Sequence, residues 1–209
     1  GGEQSMLYRR FGNTGVKVSA LGFGAMRLPT TDPKDRSSID EVLATRMVRY
    51  AIDHGVNYID TAYPYHSGES ERFVGRVLQD GYREKVNLAT KLPMWAIEAE
   101  GDAERILNEQ LEKLQTDHID FYLFHGLRRV RWETVQKFDL LKWAEGARAD
   151  GRIRRLGFSF HDDFDAFKMI IDAYDGWDFC QIQHNYMDIN NQAGTKGLRY
   201  AAAKGLGVV

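Results

Sequence analysis

The sequence predicts an α/β fold, and within that class a (β/α)8 TIM barrel with an N-terminal β-hairpin. Three observations predict it. Short apolar segments alternate with amphipathic helical segments along the 209 residues, and short connections join them, a pattern typical of parallel strands with right-handed crossovers. In addition, residues 22–26 lack the G-x-G-x-x-G spacing of an open nucleotide-binding sheet, and a long loop separates them from the first helix. We therefore favour the closed barrel over the doubly wound open sheet.

The chain begins with short strands and a loop. Residues 7–11 and 16–18 flank a glycine-rich turn and are predicted to pair as a hairpin. Residues 19–24 form a further short apolar segment, which we expect to be the first barrel strand. Residues 27–40 are polar, contain two prolines and are predicted to form an exposed loop.

The first helix is predicted from its start signal, its apolar face and its end. Ser38 and Glu41 have the Ser-x-x-Glu spacing of a capping box. Gly55 is a typical helix terminator. The apolar face is predicted to hold Val42, Met47, Val48, Ala51 and Ile52.

The same alternation continues to the end of the chain. Further strands are predicted at residues 57–60, 86–90, 119–124, 153–159, 179–183 and 206–209. Further helices are predicted at residues 70–80, 102–114, 132–149, 163–174 and 195–204. A barrel needs eight strands and eight helices, whereas these segments make about six and a half β/α units. Residues 1–5 are interpreted as an artificial addition, and residues 6–209 as one barrel domain truncated before its last strands and helices.

Composition limits the class of protein. The formal net charge of −2 gives no indication of a nucleic-acid or anionic-membrane partner, and we interpret the basic stretches at 127–131 and 152–155 as solvated loop or strand entrance. The single cysteine, Cys180, excludes an intramolecular disulfide framework and a metal site built from several thiolates in this chain. A single cysteine fits a reducing compartment, so we expect a cytoplasmic location. No apolar run approaches the length of a membrane span. The oligomeric state is open.

Polar residues recur at the ends of the predicted strands, about one β/α unit apart. Because the carboxyl ends of barrel strands form one rim, which carries the active site, these side chains are expected to converge. They are Asp60, Lys91, His125, Ser159 and either Gln181 or Gln183. Tyr65 follows Asp60 by five residues, in a loop that Pro64 holds open.

Each of these residues alone has an ordinary structural explanation. A lysine at a strand end can reach solvent, and a buried histidine can form hydrogen bonds with backbone groups. Bringing these polar and charged side chains together in one place carries a large desolvation cost, which a protein retains when the group has a function. The combination therefore favours a functional site. Other histidines are weaker candidates, and their spacing does not indicate a metal site: His66, His118, His161 and His184.

With these residues assembled, the chain resembles the aldo-keto reductases from residue 7 to its last residue. LYRRFGNTGVKVSALGFGAM is similar to the family's hairpin and first barrel strand, and NYIDTAYPY carries the Asp and Tyr of the catalytic tetrad at Asp60 and Tyr65. ATKLP supplies the Lys at Lys91, and FYLFHG the His at His125. GFS and CQIQ resemble the strand ends that hold the nicotinamide carboxamide. The resemblance implies cofactor contacts from Gly24, Ala25, Met26, Asp60, Ser159 and Gln181.

The chain departs from the common family pattern after Ser159. Many relatives have an asparagine there, whereas Phe160 and His161 follow in this sequence. GFSFHDDFDAF and FCQIQHNYMD resemble most closely a branch whose members often carry a C-terminal cysteine-rich segment that binds a four-iron cluster. Such a cluster is expected only if a further C-terminal segment exists. The family's phosphate and adenosine contacts come mainly from the last two strands and their loops.

The resemblance implies hydride transfer from NADP(H), with NAD(H) as the alternative, to a small-molecule aldehyde or ketone. Tyr65 would be the general acid, with Tyr63 its nearest rival, and His125 would donate to the carbonyl oxygen. Phenols with a pKa of about 10 are poor donors near neutrality, and the ammonium of Lys91, oriented by Asp60, would make proton release easier. Two alternatives stay open: a lyase that uses Lys91 as a Schiff-base nucleophile, and a cofactor-binding regulatory or electron-transfer protein with low turnover.

Overall fold

A single parallel sheet organises the part of the chain that the computed structural model describes, residues 8–10, 17–19, 22–182 and 191–208. Its seven strands are hydrogen-bonded in chain order, β3-β4-β5-β6-β7-β8-β9, and a separate antiparallel hairpin, β1-β2, precedes it. The hairpin strands are β1 (Tyr8–Arg10) and β2 (Lys17–Ser19). The sheet strands are β3 (Phe23–Gly24), β4 (Tyr58–Asp60), β5 (Asn87–Pro93), β6 (Ile119–Leu127), β7 (Ile153–Phe160), β8 (Phe179–Ile182) and β9 (Gly207–Val208).

Helices connect successive strands, as parallel pairing requires. In the described ranges they are α1 (Glu41–Asp53), α2 (Glu69–Val77), α3 (Asp102–Leu114), α4 (Arg129–Lys137), α5 (Leu140–Ala149), α6 (Phe164–Asp172) and α7 (Asn191–Ala203). The predicted alternation of strands and helices is therefore confirmed. Residues 7, 11–16, 20–21, 183 and 209, which carried parts of the predicted strands and the hairpin turn, lie outside the described residues.

The sheet is buried on both faces, because its strands are covered by helices on one side and by one another's side chains on the other. The helices and the outward-facing strand residues form the larger core. A smaller cluster lies on the opposite face: Tyr58, Ala89, Phe121, Leu123 and Phe179. Side chains alternate along a strand, so the next positions on this inner face, toward the carboxyl ends, include Asp60, Lys91 and His125.

The start of the first helix differs from the prediction. Asp40 is the N-cap of α1, and its carboxylate accepts a hydrogen bond from the Leu43 N–H at 3.2 Å. Ser38 instead bonds backbone groups of Asp32 and Asp35 in the preceding loop. The predicted capping box is therefore wrong, because the serine is used locally and a better acceptor lies two residues closer to the helix.

Two predictions about helices are also wrong. Val42 and Met47, assigned to the buried face of α1, are 68% and 42% exposed, and the face that packs on the sheet is Ala44, Val48 and Ile52. The single helix predicted at residues 132–149 is two helices, α4 and α5. Asp139 lies between them in the left-handed region at φ 48°, a conformation that Asp tolerates better than most residues.

The close packing of α2 on α3 depends on a glycine. A Cβ at Gly75 would lie 2.3 Å from the Lys113 carbonyl oxygen, which is backbone and cannot rotate away. Gly146, in α5, is also a helical glycine, but it is exposed and a Cβ there would have no neighbour within 4 Å.

We expect Gly75→Ala to lower the free energy of unfolding by about 1–3 kcal/mol, the usual cost of overpacking. Gly146→Ala is the matched control and should raise it by up to about 1 kcal/mol, because alanine has the higher helix propensity. Urea denaturation followed by circular dichroism measures both. Equal effects of the two substitutions would contradict the close α2–α3 contact.

Candidate active site

Lys91 is the centre of the polar cluster at the carboxyl end of the sheet. It lies in β5, is 1% exposed, and its ammonium makes three hydrogen bonds. It donates to Asp60 Oδ1 at 2.9 Å, to the Thr61 carbonyl oxygen at 3.1 Å and to Tyr65 Oη at 3.3 Å. Burial acts to lower the pKa of Lys91, but the charges and hydrogen bonds of Asp60 and Tyr65 outweigh it and raise that pKa above its ordinary value. Lys91 is therefore an ammonium near neutral pH.

The loop that carries Tyr65 is held by the residue after it. His66 is buried; its Nε2 accepts a hydrogen bond from the Leu28 N–H at 2.9 Å, and its Nδ1–H donates to the Arg36 carbonyl at 2.8 Å. Only a neutral imidazole can do both, and burial, the largest cause, lowers the pKa of His66 and favours that form. From the sequence, His66 was only a weaker candidate for the site. In the structure its two hydrogen bonds connect the loop that carries Tyr65 to the loop at residues 27–40.

His125 lies on β6 at a local irregularity of the strand. The pairing register of β6 with β7 shifts between Phe124 and Leu127, and Gly126 has a φ of +65°, as in a β-bulge. The Ser159 hydroxyl oxygen accepts a hydrogen bond from the Gly126 N–H at 2.6 Å and so satisfies the irregular backbone. Ser159 therefore supports the segment that aims His125.

His125 is neutral over the physiological pH range. Burial lowers its pKa to about 3, and the positive charges of Lys91, His161 and Arg131 act in the same direction. Its ring packs edge-on against Trp95, with centroids 5.0 Å apart. Nδ1 is buried and has no hydrogen-bond partner within the described part of the chain. His125 can therefore act as a neutral donor beside the Lys91 cluster.

The residues predicted to contact a cofactor lie along the same rim. Gly24 is opposite Asp60 in the β3–β4 register, and Gln181 is opposite Ser159 in the β7–β8 register. Gly24 and Met26 are exposed, whereas Ala25 is buried and its carbonyl accepts a hydrogen bond from the Ser70 hydroxyl at 3.3 Å. A neighbouring hydroxyl and side-chain amide fit the donors and acceptors of a carboxamide.

A buried polar network behind Lys91 was not predicted. Gln110, on α3, donates to the Lys91 carbonyl oxygen at 2.8 Å and to Glu71 at 2.9 Å. Glu71 also accepts from Thr90, and the Tyr122 hydroxyl donates to Gln110. Burial, partly offset by these hydrogen bonds, raises the pKa of Glu71. The available signal was Gln110 itself, a polar residue on the otherwise apolar face of a helix.

The described residues were also searched for a metal-binding group and for a membrane-spanning helix. Across the described ranges, His, Cys, Asp and Glu side chains do not gather in groups of three or more that could hold a metal ion. Within the same residues, no helix is long and apolar enough to cross a membrane.

The fold is that of a parallel α/β barrel protein, and a buried Lys–Asp–Tyr cluster lies at the carboxyl ends of its strands. Barrels of this class carry their active sites at that rim. The model of the aldo/keto reductase family matches residues 20–209, and the chain belongs to that family. The resemblance drawn from the motifs is thereby confirmed.

Individual relatives agree with the family match. The chain is 33% identical over 165 residues to the uncharacterized oxidoreductase YqkF of Bacillus subtilis, covering 74% of this chain and 49% of that protein. It is 30% identical to L-galactose dehydrogenase of Arabidopsis thaliana, covering 96% of this chain and 63% of that protein. The chain thus spans about half to two-thirds of the length of these curated relatives.

A solved structure confirms the fold. The chain superposes on an aldo-keto reductase from Klebsiella pneumoniae, in complex with NADPH, with a TM-score of 0.76 and 27% identity, covering 97% of this chain and 66% of that one. The predicted (β/α)8 barrel class is therefore correct, and the described residues hold seven of its parallel strands.

We expect His125 to remain neutral far below the usual range for histidine. Its pKa is about 3 in the folded protein, against about 6.5 in an unfolded chain. Its contribution to the free energy of unfolding is fully present above about pH 6.5 and is lost as the pH falls toward about 3. The ¹⁵N shifts of the imidazole followed against pH, assigned with His125→Asn, measure this directly. A midpoint above pH 5.5 would contradict the burial and the cationic surroundings described for His125.

Proposed function

We propose that the chain is the catalytic part of an NADPH-dependent oxidoreductase that reduces an aldehyde or ketone to an alcohol. The observation that carries the proposal is the buried ammonium of Lys91, which contacts Asp60 and Tyr65 at once. Family membership supports the reaction class, and the NADPH complex of the Klebsiella relative supports the cofactor. NADP(H) is preferred over NAD(H) on that ground.

Tyr65 would be the proton donor. Hydride addition turns a carbonyl oxygen into an alkoxide, and a group at the rim must supply its proton. The Lys91 ammonium, 3.3 Å from Tyr65 Oη, would stabilise the phenolate left after transfer. Asp60 would keep the lysine charged and oriented. A preorganised positive charge of this kind, in a site away from water, can contribute several kcal/mol to transition-state stabilisation.

His125 would polarise the substrate. Because it is neutral, it can donate a hydrogen bond to the carbonyl oxygen without competing with Tyr65 as an acid. The bulge at Gly126, held by Ser159, would aim the imidazole at the same oxygen. This assigns the two donors different tasks: His125 orients and polarises, and Tyr65 transfers the proton.

The rim would hold the cofactor through residues from four strands and the loop after β3. When bound, NADP(H) supplies the hydride. The Ser159 hydroxyl and the Gln181 amide would bind the nicotinamide carboxamide, and Gly24 and Met26 would line the same rim beside Asp60. Ala25 stays a predicted contact, although its side chain is buried.

The two alternative functions fare differently. A Schiff-base lyase needs a neutral lysine amine as nucleophile. The pKa of Lys91 is raised and the group is an ammonium, which disfavours the lyase. A regulatory or electron-transfer role, the four-iron cluster branch and a cytoplasmic location stay predictions, because neither the family match nor the relatives bear on them.

We expect Tyr65→Phe to lower kcat for reduction of a simple aldehyde by at least about 100-fold, the usual minimum for loss of a general acid. NADPH binding, followed by quenching of protein fluorescence, should change less than threefold. Tyr63→Phe is the matched control, because it removes the same hydroxyl two residues away, from a ring that packs on the core and under Lys113; it should keep near-normal kcat. Turnover in Tyr65→Phe within threefold of the unaltered protein would refute the assignment, and a borohydride-trapped substrate adduct on Lys91 would favour the lyase.

A further inference from the structure

A small cavity opens beside His125, and neither Asp60 nor Tyr65 lines it. Its volume is about 280 Å³. We refer to it as the arginine pocket, lined by Trp95, His125, Gly126, Arg128, Arg131 and His161. Of the residues assigned to the proposed reaction, His125 lines it, whereas Tyr65 and the predicted cofactor contacts do not.

Arg131 is an unusual arginine for this chain. It is half-buried, and its guanidinium carbon lies 5.6 Å from the centre of the Trp95 ring. Among the described residues, no carboxylate lies within ion-pair distance of Arg131 or of the exposed Arg128. By contrast, three other half-buried arginines each have an acidic partner: Arg83 has Asp120, Arg148 has Asp178, and Arg152 has Glu104 and Asp150.

The charged side chains that line the pocket in the described part of the chain, Arg128 and Arg131, are both positive. No Asp or Glu of that part lines it. Burial and the nearby Arg128 lower the pKa of Arg131, and burial with both arginines lowers that of His161. The two acidic residues that follow His161 have other partners: Asp162 accepts from the Arg129 N–H, and Asp163 caps α6. The sequence interpretation of residues 127–131 as a solvated loop therefore does not hold for Arg131.

We propose that the arginine pocket binds a carboxylate carried by the carbonyl substrate, with Arg131 as the main partner and Arg128 at the entrance. The inference rests on the proposed function, because it places the reactive carbonyl at His125. A guanidinium suits this task, since its planar fork matches a carboxylate with two parallel hydrogen bonds. The Trp95 face offers apolar contact for the carbon chain between the two groups.

A pair of arginines would also suit a phosphate of the dinucleotide. Two measurements distinguish a substrate carboxylate from such a phosphate.

The first measurement is ligand binding without turnover. Benzoate and the neutral benzamide are titrated separately while the imidazole signals of His125 and His161 are followed by NMR. Benzoate is expected to bind at least tenfold more tightly than benzamide, and Arg131→Met should remove that difference. Arg131→Lys should retain part of it. Arg129→Met, which removes an arginine that pairs with Asp163 outside the pocket, should leave it unchanged.

The second measurement is catalytic. With NADPH, kcat/KM is compared for 4-carboxybenzaldehyde and for its uncharged ester, methyl 4-formylbenzoate. Arg131→Met should lower kcat/KM for the acid at least tenfold and for the ester less than threefold, with an unchanged Kd for NADPH. Equal losses on both aldehydes, equal binding of benzoate and benzamide, or a tenfold weaker Kd for NADPH in Arg131→Met would overturn the proposal. If neither aldehyde is reduced, the proposed function fails, while the benzoate titration still decides the pocket.

Discussion

The rim of this molecule depends on one constraint, the burial of an ammonium group. Lys91 is 1% exposed, and a charge at such a position is tolerated only when protein groups replace the water it has lost. The end of β4 and the loop after it supply those groups, from Asp60, the Thr61 carbonyl and Tyr65. The contacts that stabilise the lysine therefore also fix where the phenol lies, so that stability and the proposed chemistry share one set of hydrogen bonds.

Two local backbone features complete this arrangement. His66 and Ser67 have positive φ values of 53° and 55°, an unfavourable conformation that the buried contacts of His66 hold in place. Gly126 bends β6 just after His125, and Ser159 satisfies the N–H that the bend exposes. Tyr65 and His125 are thus each followed by a residue that hydrogen bonds hold in place, which limits the movement of these two side chains.

Most of the fold could be predicted from residue order. Alternating apolar strands and amphipathic helices with short connections leave few topologies other than a parallel sheet, and the family match and the superposition confirm the barrel class. The errors fall where local patterns were ambiguous. Val42 and Met47 are apolar yet exposed, and Asp139 divides a segment whose periodicity runs through it. Helical periodicity marks apolar residues but does not say which of them meets the sheet, since that depends on how the helix is set against the strands.

The polar residues of the rim divide in the same way. The strand-end positions of Asp60, Lys91 and His125 were predicted from the chain alone, because parallel strands bring their carboxyl ends to one edge and these positions can be counted. Three features were not predicted: the support of Lys91 by Gln110, the anchoring of Tyr65 by His66, and a half-buried Arg131 with no carboxylate partner among the described residues. Each is a contact, or a missing contact, between segments far apart in the chain, and a hydrogen-bond partner or its absence is defined only once packing has set distances and excluded water.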